Sequence, residues 1–200
     1  MKPRAQREFG RQQPGFIINP RAISLPVRPF KQGRALCGPA CLKMILAYFG
    51  HRVSEKSIAK LCRTSTTTGT TGPNLVRAAR RLGLGAAIVD GATFSTIERW
   101  LARGIPVIVD WMSVLRVRGS REHWACGHYS VVYGINKAHL WLQDPAIGRA
   151  RRMSRHHFVN VWFDFKRVRP RQPDDLIIRR LIIAAPLEYL GPIPGAAERL

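Results

Sequence analysis

Cys37 lies where an irregular segment marked by Gly and Pro changes into an apolar stretch that predicts a helix. The first backbone N–H groups of a helix have no intrahelical partner, and the helix dipole adds partial positive charge there. Both effects stabilise a thiolate, which is the reactive form of cysteine. Most free cysteines are nevertheless small buried hydrophobic residues, so Cys37 is a candidate nucleophile only beside a base and an acid.

His128 and Asp144 are the candidate base and acid, because a predicted hairpin brings them together. We expect strands over residues 128–135 and 139–144, joined by a turn at Asn136-Lys137. Pairing the last residue of the first strand with the first residue of the second makes Asp144 a diagonal neighbour of His128 on one face. A carboxylate there would hold the imidazole in one tautomer, whereas a one-residue slip would move Asp144 to the opposite face.

Gln32 supplies the remaining part of a nucleophilic site. Its side-chain amide, five residues before Cys37, can point to the same place as the Cys37 backbone N–H. Two such donors form an oxyanion hole, and each typically contributes about 10²–10³ in rate. A protonated His128 beside the thiol would lower its pKa from about 8.5 towards the range of about 3.5–7.5. These four residues therefore predict nucleophilic attack by sulfur on a carbonyl carbon.

The elements that position these residues follow from hydrophobic periodicity and from helix start and stop signals. Ser54 is a candidate N-cap, Ser95 and Glu98 form a candidate capping box, and residues 113–126 predict a polar, Arg-rich loop over a cleft. Because helices come first and strands dominate the second half, we expect an α+β fold with N-terminal helices packed on a C-terminal antiparallel sheet. The predicted helices cover residues 37–49, 54–61, 73–83, 95–104 and 154–163, and the further strands cover 86–90 and 105–111.

The length of 200 residues suits one folded domain. We expect a basic arm without fixed structure over 1–24, the folded domain over 25–188 and a tail over 189–200. The N-terminus has no apolar run typical of a secretory signal, and no segment is long enough to span a membrane. We therefore expect a cytoplasmic protein that keeps its four cysteines as thiols.

The formal net charge of +21 predicts a surface that attracts nucleic acid, anionic membranes or acidic peptides. The excess of Arg over Lys can also reflect genomic base composition, and the basic clusters are scattered along the chain. Nucleic-acid binding is the weakest of the functional hypotheses, because the chain has no RNP, zinc-finger or helix-turn-helix signature.

A zinc site is a second alternative for the same cysteines, because Cys37, Cys41, Cys126 and His128 all have zinc-ligand chemistry. The spacing argues against it, since Cys37 and Cys41 are one helical turn apart and do not form a Cys-x-x-Cys knuckle. We expect no metal and no cofactor.

Three blocks of the sequence together resemble the bacteriocin-processing cysteine peptidases, a papain-like family. They are Gln32 to Cys41 with its Cys-Gly-Pro-Ala-Cys run, Gly127-His128-Tyr129, and Asp144-Pro145 to Gly148, and the resemblance spans roughly residues 25–163. Many members are N-terminal domains of peptide-exporting transporters that cut leader peptides after a double glycine. The resemblance implies a papain-like fold with Cys37 as nucleophile, His128 as general base, Asp144 as orienting acid and Gln32 as oxyanion donor. It also implies a peptide substrate and a peptide exporter as partner.

Two features keep alternatives open within this family. The spacing from Gln32 to Cys37 is one residue shorter than in transporter-linked members, and Leu36 stands where they usually carry an acidic residue. A peptide-binding module with weak catalysis is therefore the alternative function, and acyl transfer to an amine is a related one. Because no transporter domain follows, we expect a stand-alone protein.

Overall fold

The computed structural model describes residues 17–19, 22–116, 123–167 and 171–190. The described residues form ten strands, six helices and a short 3₁₀ turn. The strands are β1 (Ile17–Asn19), β2 (Ala22–Ser24), β3 (Gly85–Val89), β4 (Val107–Arg116), β5 (His123–Asn136), β6 (His139–Asp144), β7 (Arg149–Ser154), β8 (Phe163–Phe165), β9 (Leu176–Ile178) and β10 (Leu181–Ala185). The helices are α1 (Cys37–Tyr48), α2 (Glu55–Leu61), α3 (Gly72–Arg81), α4 (Phe94–Ala102), α5 (Arg155–Val161) and α6 (Leu187–Leu190), and the 3₁₀ turn covers Pro173–Asp175.

An eight-stranded antiparallel sheet is the centre of the fold, in the order β1-β2-β5-β4-β10-β3, with β6 and β7 continuing from the other edge of β5. Residues 123–132 of the long strand β5 pair with β4, and residues 134–136, which extend beyond β4, pair with β2. Strand β6 pairs with the opposite edge of β5. The separate pair of β8 and β9 completes the strands. Strand β5 therefore contacts the largest number of neighbouring strands, and it carries His128.

Helix α1 packs against β5 and contributes a nearly continuous set of buried residues. Its core side chains Leu42, Ile45 and Leu46 are almost fully buried. They join apolar residues of the central strands, such as Val131 and Ile183, in one hydrophobic cluster. Removal of this much apolar surface from water is the main term that stabilises the helix on the sheet. The predicted α+β architecture of helices on an antiparallel sheet is confirmed.

Helix starts follow the capping signals, with one correction. Ser54 accepts a hydrogen bond from the Ser57 N–H and caps α2 as predicted. The predicted capping box of Ser95 and Glu98 is wrong, because Thr93 caps α4 and exchanges reciprocal hydrogen bonds with Thr96. The helix therefore begins at Phe94. The Phe94 ring packs against the rings of Phe158 and Trp162, at centroid distances of 6.5 and 6.0 Å.

The predicted loop over residues 113–126 is also wrong over most of its length. Strand β4 continues to Arg116 and pairs in register with β5, which begins at His123. Residues 117–122 lie outside the described part of the chain. Apolar and β-branched residues before Arg116 favour the extended strand despite the arginines.

The predicted arm over residues 1–24 contains two strands. Strand β2 pairs with residues 134–136 of β5, beyond the residues that pair with β4. The expectation of no fixed structure is therefore wrong for β1 and β2, while residues 1–16 lie outside the described part. At the other end, α6 takes in the first two residues of the predicted tail, and residues 191–200 are not described. Among the described residues, no helix combines the length and the hydropathy needed to cross a membrane.

The hairpin of β5 and β6 departs from the predicted register near its turn and matches it closer to His128. Ile135 pairs with Leu140, one residue beyond the predicted partner His139. A β-bulge at Tyr133 adds a residue to β5 and cancels this offset, so that Val132 lies in the predicted register. Side-chain alternation beyond the bulge is therefore as the sequence predicted.

Candidate active site

The segment before α1 is held in a tight turn that delivers Cys37 as the first residue of the helix. The Leu36 N–H donates to the Gly33 carbonyl at 3.3 Å, and Ala35 has a positive φ of 58°. The Gly33 N–H in turn donates to both carboxylate oxygens of Glu55, at 3.1 and 3.3 Å. No side chain caps α1 at Leu36. The first N–H groups of α1 therefore have no side-chain cap, as a thiolate or an oxyanion site requires.

The Cys37 thiol lies beside the His128 side chain. Burial is the largest single effect and raises the pKa of Cys37, whereas hydrogen bonding to His128 and its positive charge lower the pKa. The backbone N–H groups of Tyr129 and Gly38 add to this effect. The net pKa of the Cys37 thiol is lower than that of an ordinary cysteine. Cys37 also keeps part of its surface accessible, so a carbonyl carbon can approach the sulfur.

His128 bridges the thiol and the carboxylate of Asp144. Its Nε2 lies 2.8 Å from Asp144 Oδ1, which leaves Nδ1 as the ring nitrogen for Cys37. Burial lowers the pKa of His128, but hydrogen bonding to Asp144 and Cys37, together with the negative charges of these two groups, outweighs burial and raises it to about 9. A lowered thiol pKa and a raised imidazole pKa together favour the thiolate–imidazolium pair near neutral pH.

Asp144 is almost completely buried and has a full set of hydrogen-bond partners. The Ala146 N–H donates to Oδ1 at 2.9 Å, and the Arg151 side chain donates to Oδ2 at 2.9 Å. Burial raises the pKa of Asp144, but the hydrogen bond and charge of His128, with the charge of Arg151 and the Ala146 N–H, bring it below its usual range. The carboxylate is therefore ionised when it faces the imidazolium.

Trp111 forms a wall beside the imidazole. It pairs with His128 across β4 and β5, and the two rings meet edge to face at a centroid distance of 5.5 Å. The Trp111 indole N–H donates to Ser130 Oγ at 3.1 Å, which fixes the ring. The Trp111 ring therefore limits how far the His128 imidazole can move.

The Gln32 backbone contacts the turn that follows Asp144, but the Gln32 side-chain amide is directed at Gly33 and not at the Cys37 sulfur. The Gln32 backbone N–H donates to the Pro145 carbonyl at 3.0 Å. Its side-chain Nε2 donates to the Gly33 carbonyl at 3.2 Å, and its buried Oε1 has no hydrogen-bond partner among the described residues. The role of Gln32 as an oxyanion donor remains a prediction.

Sequence reasoning did not assign a role in the site to Arg151 or Glu55. Arg151 looked like a solvated member of a basic cluster, although alternation along β7 places it on the same face as Asp144. Glu55 carried only a helix-start signal, and its contact with Gly33 depends on how α2 packs beside the turn before α1. Neither contact follows from local spacing.

A pair of carboxyl groups lies on the opposite face of β5 from His128. The side chains of Asp110, Asp164 and Tyr129 lie together, and the buried Oδ1 of Asp110 has no hydrogen-bond partner among the described residues. Burial, followed by the charge of Asp164, raises the pKa of Asp110 well above its usual range. Asp164 lies against Gly127, where a Cβ atom would overlap its carboxylate. A glycine next to His128 therefore leaves room for this acid pair.

The cysteines other than Cys37 differ from it in their surroundings. Burial raises the pKa values of Cys41 and Cys62, the latter to about 12, and burial also raises the pKa of Cys126. Within the described residues, no group of three or more His, Cys, Asp or Glu side chains is arranged to hold a metal ion. Cys37 is the cysteine whose thiol meets a base.

The sequence model of the Peptidase C39 family matches residues 30–165, which contain all four site residues. The chain belongs to the Peptidase C39 family, and it is a papain-like cysteine peptidase domain. The resemblance noted from the sequence blocks is confirmed.

Two curated relatives are bacterial transport proteins. The chain is 31% identical over 131 residues to the pediocin PA-1 transport/processing ATP-binding protein PedD of Pediococcus acidilactici, covering 63% of this chain. It is 25% identical over 123 residues to the lactococcin-G-processing and transport ATP-binding protein LagD of Lactococcus lactis subsp. lactis, covering 62% of this chain. The matched part spans only 16% of the length of each relative.

Solved structures share the fold. The peptidase domain of Streptococcus ComA, a bi-functional ABC transporter involved in a quorum-sensing pathway, aligns with a TM-score of 0.58 and 25% identity, over 80% of this chain and 98% of that domain. A double glycine motif protease from an AMS/PCAT transporter, solved in complex with the leader peptide, aligns with a TM-score of 0.54 and 19% identity, over 82% and 97%. The second likeness is evidence for the fold alone.

Proposed function

We propose that this protein cleaves a peptide substrate after a double-glycine site through the triad of Cys37, His128 and Asp144. The observation behind the proposal is a series of three side chains: His128 Nε2 lies 2.8 Å from Asp144 Oδ1, and the same imidazole lowers the pKa of the adjacent Cys37 thiol. This series contains a nucleophile, a base and an acid that orients the base, each within reach of the next. We take residues 25–188 as the peptidase domain.

The reaction begins when the Cys37 thiolate attacks the scissile carbonyl carbon. The carbon–sulfur bond forms, and the carbonyl oxygen becomes an oxyanion next to the N–H groups at the start of α1, which no side chain caps. His128 gives its proton to the leaving amine as the peptide bond breaks, which leaves an acyl-thioenzyme and a neutral imidazole. The imidazole then takes a proton from water, and the resulting hydroxide attacks the thioester and releases the acid. Asp144 keeps the imidazole in one orientation and stabilises its charged form throughout.

We assign Gln32 as the second oxyanion donor. In the substrate-free protein its amide nitrogen donates to Gly33, and hydrogen bonds of this kind often align only when substrate binds. The buried Oε1 without a described partner indicates that this orientation of the amide is not its best-satisfied one. A rotation of the side chain would free Nε2 to donate to the oxyanion together with the Cys37 N–H.

The substrate is a leader peptide. The partner of this protein in the cell is a peptide exporter. The relatives support this assignment, since PedD and LagD are named for processing and transport of peptides. The chain carries a formal net charge of +21, so an acidic leader segment would be attracted to it. We place the reaction in the cytoplasm, before export.

A peptide-binding module with weak catalysis is the second candidate, and one observation favours it. The Gln32 amide is turned to Gly33, and without that donor the oxyanion would lose one hydrogen bond. Such a protein would bind a leader tightly and release it uncut.

Incubation with synthetic double-glycine leader peptides, followed by mass spectrometry, distinguishes the two. We expect one cut after the second glycine, and no product with Cys37→Ala. Because the reaction needs both the thiolate and the imidazolium, the rate should fall above pH 9, where His128 loses its proton. Binding without any product would contradict the peptidase proposal.

A further inference from the structure

Arg151 binds the oxygen of Asp144 that His128 leaves free. Its Nε and Nη2 both lie 2.9 Å from Asp144 Oδ2. The other oxygen, Oδ1, accepts from His128 at 2.8 Å and from the Ala146 N–H at 2.9 Å. Because each oxygen has its own partners, the carboxylate cannot rotate about its Cβ–Cγ bond without breaking charge-assisted hydrogen bonds.

Strand pairing and Trp111 hold Arg151 in this place. Arg151 pairs with Leu142 across β6 and β7, two residues from Asp144 and on the same face of the sheet. Its guanidinium carbon lies 5.8 Å from the centroid of the Trp111 ring, and that ring also contacts His128. The Arg151 side chain is 39% exposed, whereas Asp144 is 1% exposed. The arginine therefore lies between the acid and the solvent.

We propose that Arg151 is a positioning residue of the triad, which fixes the Asp144 carboxylate on His128 and keeps it ionised at acidic pH. This inference rests on the proposed function. Without the guanidinium, Oδ2 would lose its described hydrogen bond and its ion pair, and the carboxylate would lose an adjacent positive charge. These losses favour the protonated acid. A neutral Asp144 stabilises the imidazolium less, so the proton on His128 returns to the Cys37 thiolate. As the pH falls, the thiolate is therefore lost at a higher pH when the guanidinium is absent.

The test is the pH dependence of Cys37 alkylation by iodoacetamide, which needs no knowledge of the substrate. In Arg151→Gln we expect the acidic limb of the alkylation profile to move up by about one pH unit, the lower end of what a hydrogen-bonded opposite charge does to a carboxyl group. Arg151→Lys keeps the charge but replaces the planar guanidinium by a single ammonium group. The acidic limb of its alkylation profile should therefore lie between those of Arg151→Gln and the wild type.

Arg152→Gln is the matched control, because Arg152 is the next residue of the same strand, is exposed, and pairs with Trp141 on the opposite face. We expect it to leave the profile unchanged. The inference is overturned if Arg151→Gln keeps the wild-type limb, or if the Arg151 and Arg152 variants move it equally, since the effect would then be one of general surface charge.

The same measurement distinguishes this inference from the proposed function. If wild-type Cys37 shows the acid-shifted limb and Arg151→Gln moves it, the positioning role stands even where no leader peptide is cut. If wild-type Cys37 reacts like an ordinary thiol, the triad and the role of Arg151 both fail.

Discussion

Gln32 differs from the other proposed site residues because its amide donates to its own neighbour, Gly33. His128 is already hydrogen-bonded to Asp144 and lies beside the Cys37 thiol without substrate. An oxyanion exists only during the reaction, so a donor that serves it has no partner of that kind beforehand. The side chain of Gln32 therefore has to be tested through the reaction.

We predict that Gln32→Ala lowers the rate of leader cleavage by about 10²–10³. Alkylation of Cys37 by iodoacetamide forms no oxyanion, so its rate should stay within about threefold of the wild type. Both rates are measured on the same preparations. An equal fall of the two would mean that Gln32 supports the structure of the site, and an unchanged cleavage rate would remove it from the mechanism.

At the scale of the elements, alternation along β5 and β6 was sufficient to predict that His128 and Asp144 meet. The turn of the hairpin was predicted one residue short, and the bulge at Tyr133 cancelled the error. Turn length and bulges depend on backbone details that side-chain alternation does not reveal. The role of Arg151 was missed for a different reason, since it requires a third strand, β7, to pair with β6. Local periodicity therefore predicted the core of the site but not its outer contacts.

Gly127 shows how one strand position affects both faces of the sheet. A Cβ atom there would overlap the carboxylate of Asp164, which lies beside Asp110. We expect Gly127→Ala to lower the free energy of unfolding by about 1–3 kcal/mol, the usual cost of overpacking. Urea denaturation measures this change.

The control for Gly127→Ala is the same substitution in an Asp164→Ala background. Removal of the carboxylate leaves room for the new methyl group, so the cost should be smaller there than in the wild type. An equal cost in both backgrounds would show that the glycine is needed for its backbone and not for the space beside Asp164.

At the scale of the whole molecule, the formal net charge of +21 remains without a described partner. The family, the α+β fold and the order of the helices before the long hairpin were predicted from the sequence. The joining of β1 and β2 to the sheet was not, because a three-residue strand carries almost no periodic signal. Charge says nothing about fold, but it does affect how fast a charged peptide reaches the site.

We predict that the second-order rate of cleavage of an acidic leader falls as salt is raised from about 0.01 to 1 M, because the Debye length shrinks from about 30 to 3 Å. A leader of the same length with its acidic residues replaced by the corresponding amides is the control, and its rate should change little. If both leaders respond to salt in the same way, the charge does not steer the substrate.

We propose that His128, held by Asp144, converts Cys37 into a thiolate below the pH at which other cysteines react. Iodoacetamide alkylation from pH 4 to 10 followed by peptide mapping tests this proposal on the wild type and on His128→Asn, with Cys41, Cys62 and Cys126 as internal controls. We expect Cys37 to be labelled first and at acidic pH in the wild type. In His128→Asn the acidic limb of its profile should move above that of an ordinary thiol, because burial then acts alone with the weaker backbone donors. Equal labelling of all four cysteines in the wild type, or an unchanged Cys37 profile in His128→Asn, would contradict it.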